Sequence, residues 1–180
     1  MDIIQNIDEQ IVLLFQSIRF EVLTQFFKVF VPYEFWYVVA AIVVVVCFFQ
    51  TRALKIPVIS FFLALHLSNF FYTWLKDFVQ RPRPFLTIKG AVALVSPHGF
   101  SFPSGHATFA MAIAVVLSYH FPKTRYPVFV CAVLVGLSRV YLGAHYLTDV
   151  LGGFIYGALL GYLSILLEHL IIFFTKGTDI

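Results

Sequence analysis

Apolar residues fill this chain in long runs rather than at the spacing of a one-faced helix. Phe35 to Gln50 is almost wholly Val, Ala, Ile and Phe and ends at the basic stretch Thr51-Arg52-Ala53-Leu54-Lys55. Ile56 to Leu75 follows and delivers Lys76 at its far end, and Ser104 to Phe121, Pro127 to Leu142 and His145 to Phe174 complete five such runs. A hydrocarbon core about 30 Å thick takes roughly 20 helical residues to cross. The pattern predicts an all-α polytopic membrane helix bundle with five clear transmembrane helices. Residues 3 to 31 break it with Gln16, Arg19, Glu21, Gln25 and Lys28. An amphipathic interfacial helix pair is the favoured reading there, and a broken sixth span the alternative.

Composition points the same way. The 180 residues are 61% hydrophobic and 12% charged, with a mean hydropathy of +0.91, more apolar surface than a soluble domain of this size could hide. One bundle over residues 1–180, with no separate soluble domain, fits that length. The formal charge of +3 is too small and too dispersed for nucleic-acid binding. Cys47 and Cys131 lie deep in apolar runs and read as small buried hydrophobes rather than a disulfide or metal site. Met1-Asp2 lacks the basic start of a cleavable leader, so the spans are expected to stay in the mature protein.

Alternate threading puts Arg52, Lys55, Lys123, Arg125 and Lys176 on one face, which the positive-inside rule makes cytoplasmic. Lys76, Arg81, Arg83, His106, Arg139, His145 and Asp149 then emerge on the opposite side. Ionisable groups near a bilayer are costly and usually functional.

These residues suit phosphate chemistry. His145 and Asp149 are four apart at the start of an expected helix, so a carboxylate can orient the imidazole as nucleophile or base. A helix-terminal pair that only ties down a loop has the same spacing. Pro103-Ser104-Gly105 leads into a helix whose first N–H groups favour an anion, although Ser104 could equally be an ordinary N-cap. His106 has no capping role and could protonate a leaving oxygen. Arg83 and Arg139 can grip phosphoryl oxygens with two donors each, and Lys76 can act as a point charge. Arg81 could touch a second phosphate or a lipid headgroup, or stand exposed in its loop. Residues 77 to 103 form one long connection, and Gly153, Gly157 and Gly161 make a small-residue stripe for packing within the bundle or for a homodimer seam.

Taken together, Lys76-x6-Arg83-Pro84 (within residues 76–84), Pro103-Ser104-Gly105-His106 (103–106) and Ser138-Arg139-x5-His145-x3-Asp149 (138–149) resemble the three-part signature of the type 2 phosphatidic acid phosphatase superfamily. The resemblance implies a phosphatase that needs no metal and no cofactor. By that likeness His145 attacks phosphorus and forms a phosphohistidine, Asp149 orients it, and His106 serves the leaving oxygen and then water. Lys76, Arg83, Arg139, Ser104 and the Gly105 amide would bind the phosphoryl oxygens. The expected partners are the bilayer and a lipid phosphate, with lipid A 1-phosphate and undecaprenyl diphosphate ranked ahead of phosphatidylglycerol phosphate. The expected location is a bacterial inner (plasma) membrane, with the site on the periplasmic or extracellular face. Transfer of the phosphate to a lipid acceptor is the second enzymatic reading, and a phospholipid-binding carrier the non-enzymatic one.

Overall fold

A computed structural model describes residues 3–30 and 55–176; the expected span Phe35 to Gln50 lies outside them. Every regular element among the described residues is helical. Two short helices, α1 (Ile3–Ser17) and α2 (Glu21–Phe30), precede α3 (Lys55–Val79) and the one-turn α4 (Pro84–Thr87). After a long irregular segment come α5 (Gly105–His120), a 3-10 turn at Pro122–Thr124, α6 (Arg125–Tyr141) and α7 (Leu147–Lys176). The four longer helices α3, α5, α6 and α7 coincide with four of the predicted runs to within a few residues. Two of them, α3 and α7, are long and apolar enough to cross a membrane. Residues 3–30 form a helix pair broken at Ile18–Phe20, and the 15 residues of α1 fall short of the roughly 20 a crossing needs.

Helix α5 is the axis of the bundle, packed against α3, α6 and α7. Its buried positions include Ala107, Ala112 and Ala114, small enough for close approach. The glycine stripe of α7 answers them. A Cβ on Gly153 would stand 2.7 Å from the Ser104 carbonyl oxygen, and one on Gly157 only 2.2 Å from that of Thr108. The stripe is therefore used inside the bundle, and it seats α5, from Ser104 to Val115, closely against α7. Gly157→Ala should destabilise the fold by about 1–3 kcal/mol, because backbone rather than a flexible side chain must move aside. A lowered melting temperature in detergent would register it.

The outward faces stay apolar: Tyr126, Val130 and Leu134 on α6 and Ile155, Leu159 and Leu166 on α7 are all exposed. Contiguous surface of this kind suits lipid rather than water. Cys131 belongs to it, exposed beside Val130 instead of buried as its apolar neighbourhood had suggested. At the end of the bundle remote from the signature residues, His120 meets Glu168 at 2.9 Å and Ser60 at 2.9 Å, joining α3, α5 and α7. His66 bonds the Phe62 carbonyl of its own helix at 2.8 Å.

The expected connection of residues 77 to 103 is shorter than its composition implied, since α3 continues to Val79 and Pro84 opens α4. What remains folds back on the end of α3. The Ser101 amide donates to the Arg81 carbonyl at 2.7 Å, and Lys76 Nζ donates to the Phe100 carbonyl at 3.0 Å.

Candidate functional site

The signature residues meet at one end of the bundle. Lys76 ends α3, Ser104 and His106 begin α5, Arg139 ends α6, and Asp149 begins α7. Arg83 and His145 come from the turns between these helices. His106 lies within electrostatic reach of Arg139, His145, Lys76 and Arg83, so residues from all three motifs share one small volume. The N-termini of α5 and α7 both open toward it, adding partial positive charge.

The α6–α7 turn holds His145 by backbone contacts. The amides of Ala144 and His145 donate to the Arg139 carbonyl at 3.0 and 3.3 Å, and the Leu94 amide donates to the Leu142 carbonyl at 2.9 Å. Gly143 makes the reversal at φ +75°, where a Cβ would also stand 2.5 Å from the Val92 carbonyl oxygen. Glycine alone fits both demands.

His145 is 3% exposed. Its Nε2 sits 3.3 Å from Arg83 Nη1. A guanidinium can only donate, so Nε2 presents its lone pair and the ring proton belongs on Nδ1. Nδ1 faces Asp149 Oδ2 at 3.5 Å, an ion-pair separation looser than a hydrogen bond. Burial, Arg83 and Lys76 hold the imidazole down to about 4, against the opposing pull of Asp149. His145 is thus a neutral base with its free nitrogen turned toward cations.

Arg83 is 3% exposed and fixed on several sides. Nε donates to the Gly99 carbonyl at 2.8 Å, Nη2 to His98 at 2.7 Å, and Nη1 to Ala144 at 2.8 Å. The arginine therefore clamps the loop before α5 to the turn that carries His145. His98 contributes through its backbone carbonyl.

Ser104 occupies the N-cap position of α5 but makes no side-chain capping bond, and its fully buried hydroxyl has no hydrogen-bond partner among the described residues. A capping serine replaced by alanine usually costs about 1 kcal/mol. If the hydroxyl serves a phosphate rather than the helix, Ser104→Ala should leave the melting temperature nearly unchanged while lowering kcat/KM by about 10- to 100-fold. An equal fall in stability would return Ser104 to the role of a cap.

Two features escaped the sequence reading. Ser101, fully buried, donates its hydroxyl to Asp149 Oδ2, which also accepts the Tyr146 amide at 2.9 Å. Its position three residues before Ser104, in Ser101-Phe102-Pro103-Ser104, was the only available signal. Arg81, expected in contact with headgroups or exposed in its loop, turns inward instead. Its Nη1 donates to Asp149 Oδ1 at 2.6 Å and its Nη2 to Asp8 Oδ2 at 2.8 Å, because two buried carboxylates need a cation between them.

Known proteins resemble this chain in sequence and fold. Phosphatidylglycerophosphatase B of Bacillus subtilis is 45% identical over 100 residues, 49% of this chain and 47% of that protein. An undecaprenyl-diphosphatase of Sulfolobus acidocaldarius is 35% identical over 136 residues, 74% of this chain and 63% of that protein. The matched parts thus span about half to three-fifths of these curated relatives. The crystal structure of a transmembrane PAP2 type phosphatidylglycerolphosphate phosphatase from Bacillus subtilis superposes with a TM-score of 0.77 at 30% identity, covering 95% of this chain and 89% of that one. Since the PAP2 superfamily model also matches residues 57–172, which hold all three motifs, the chain belongs to the PAP2 superfamily.

Proposed function

We propose that this protein is an integral-membrane lipid phosphate phosphatase working through a phosphohistidine on His145 without a metal ion. The observation that carries the reading is the neutral imidazole between Arg83 and Asp149, with its lone pair on Nε2. As a phosphate monoester or diphosphate enters, Arg83 turns donors from that nitrogen to a phosphoryl oxygen. Nε2 attacks phosphorus, the bond to the leaving oxygen breaks, and His106 protonates that oxygen. Asp149 balances the positive charge that forms on the ring. Water then attacks phosphorus, gives its proton to His106, and the P–N bond breaks to release phosphate. Lys76, Arg139, the Ser104 hydroxyl and the Gly105 amide hold the equatorial oxygens where charge develops. This donor set is cationic, so it neutralises phosphate directly and would repel a divalent metal.

Protonated His145 cannot attack, so acid removes the nucleophile only as the pH falls through about 4. At pH 5, where a free imidazole of pKa about 6.5 is almost wholly charged, His145 should remain neutral. Histidine-labelled NMR, with the resonance assigned by its loss in His145→Gln, should give a midpoint well below 6. A midpoint near 6.5 would contradict it.

The apolar outer faces and the five predicted runs support a single bundle of five spans, with α1 and α2 as an interfacial pair. The basic residues near the far end support an orientation with the site outside the cytoplasm of a bacterial plasma membrane. The names of the relatives favour undecaprenyl diphosphate and phosphatidylglycerol phosphate as substrates, and lipid A 1-phosphate offers the same exposed group. Detergent-purified protein in EDTA should release inorganic phosphate from at least one of these three lipids. Release from none of them by folded protein, or release only when a divalent metal is restored, would defeat the proposal.

A further inference from the structure

Helix α1 reaches the site through a carboxylate that none of the three motifs contains. Asp8 is 1% exposed although it sits on an amphipathic helix. Its Oδ1 accepts the Thr148 amide at 3.1 Å, in the first turn of α7, and its Oδ2 accepts both the Thr148 hydroxyl and Arg81 Nη2. Arg81 is more than a surface partner. Its Nη1 donates to Thr148 Oγ1 at 2.7 Å and to Asp149 Oδ1 at 2.6 Å, Nη2 also reaches Gln5 Oε1 at 3.1 Å, and its guanidinium lies 3.9 Å over the Tyr146 ring. One planar fork thus joins α1 to the carboxylate that faces His145. A lysine could not span Asp8 and Asp149 in this way, having one nitrogen where the arginine uses two.

We propose that Asp8 and Arg81 form a positioning relay that fixes Asp149, and through it His145, so that α1 is a working part of the catalytic centre. The proposal rests on the phosphatase reading for its kinetic consequences but not for its structural ones. Asp149 is fully buried, with Ser101 and the Tyr146 amide on one oxygen and Arg81 on the other. Without Arg81 the carboxylate loses the cation on its Oδ1, so more of its charge acts on the imidazole beside Oδ2, which then holds a proton more readily. Without Asp8 the guanidinium keeps Asp149, Thr148, Gln5 and the Tyr146 ring but loses the charged partner that holds its second nitrogen and fixes its plane. Among the described residues, the charged and titratable groups clustered with His145 are Asp149 on α7, Lys76 at the end of α3, Arg83 before α4, His106 on α5 and Arg139 at the end of α6. Of these only Asp149 bonds Arg81, so the relay's influence on the ring passes through that carboxylate.

The test uses full-length protein in detergent. Arg81→Gln should lower kcat by about 100-fold and Asp8→Asn by about 10-fold, each with KM changed less than about threefold, since neither residue touches the phosphate. Arg81→Lys should recover part of the loss. The double variant should be no slower than Arg81→Gln alone, because Asp8 acts through Arg81. The His145 NMR midpoint should move upward in Arg81→Gln and, by less, in Asp8→Asn. Gln16→Ala removes a different tether of α1, to the Gly90 carbonyl and the Val92 amide, and should leave kcat and the midpoint unchanged.

Losses that multiply in the double variant, or an Asp8→Asn protein with wild-type kcat and an unmoved midpoint, would overturn the relay. An equal loss in Gln16→Ala would overturn it too, since docking of α1 in general would then be what matters. If Arg81→Gln does not fold, Asp8→Asn, of the same size and uncharged, decides alone. Should the wild type release no phosphate, the phosphatase reading fails while the midpoints still judge the relay.

Discussion

Alanine at His145 should lower phosphate release by about 10⁴- to 10⁶-fold, the scale on which removing a nucleophile acts when the rest of the site survives. The survival is expected from the contacts. Arg83 keeps its bonds to Gly99, His98 and Ala144, and Asp149 keeps Arg81, Ser101 and the Tyr146 amide. The turn itself is held by its backbone amides on Arg139. Losing the ring leaves a small cavity at a buried position, a cost of roughly 2–4 kcal/mol that a stable bundle tolerates. Initial rates on the preferred lipid, with a melting curve for each protein, separate the two effects. A folded variant within 100-fold of wild type would mean that another group attacks phosphorus.

Arg83→Lys comes second in expected effect. The substitution keeps the charge and removes the shape. Arg83 joins three carbonyl oxygens from two segments and also meets the His145 lone pair, whereas a lysine nitrogen can serve only part of that set. The rate should fall by about 10²- to 10³-fold, as for loss of a preorganised transition-state donor. Residues 95–101 should exchange their amide hydrogens faster, because the clamp on His98 and Gly99 has gone. A drop in rate without that change in exchange would make Arg83 purely a phosphate ligand. Full activity would remove it from the site.

The helices were legible because long apolar runs are written in composition: α3, α5, α6 and α7 fall on four such runs, with ends within a few residues of those read from the sequence. The motif residues were legible because lysine, arginine, histidine and aspartate at span ends have few other reasons to be there. What stayed hidden was pairing across distance. Asp8 stands among Gln5, Asn6, Glu9 and Gln10 in an ordinary polar-faced helix, and nothing in that pattern points 141 positions ahead to Asp149. Arg81 sits two residues from Arg83 in Arg81-Pro82-Arg83-Pro84, yet one turns to the carboxylates and the other to the imidazole. Ser104 could have been cap or ligand from sequence alone, and its hydroxyl makes no capping bond. Cys131 failed for a different reason: an apolar run does not tell which of its faces meets protein and which meets lipid.

The central claim is a covalent phosphate on His145, and trapping it is the most direct test. Protein mixed briefly with a lipid labelled at the scissile phosphate and quenched in alkali should carry label that survives base and is lost in acid, as a phosphoramidate does. Digestion should find it on the peptide containing His145, and His145→Ala should carry none. Label on another residue, or rapid turnover by the wild type with no labelled protein at any quench time, would contradict the mechanism.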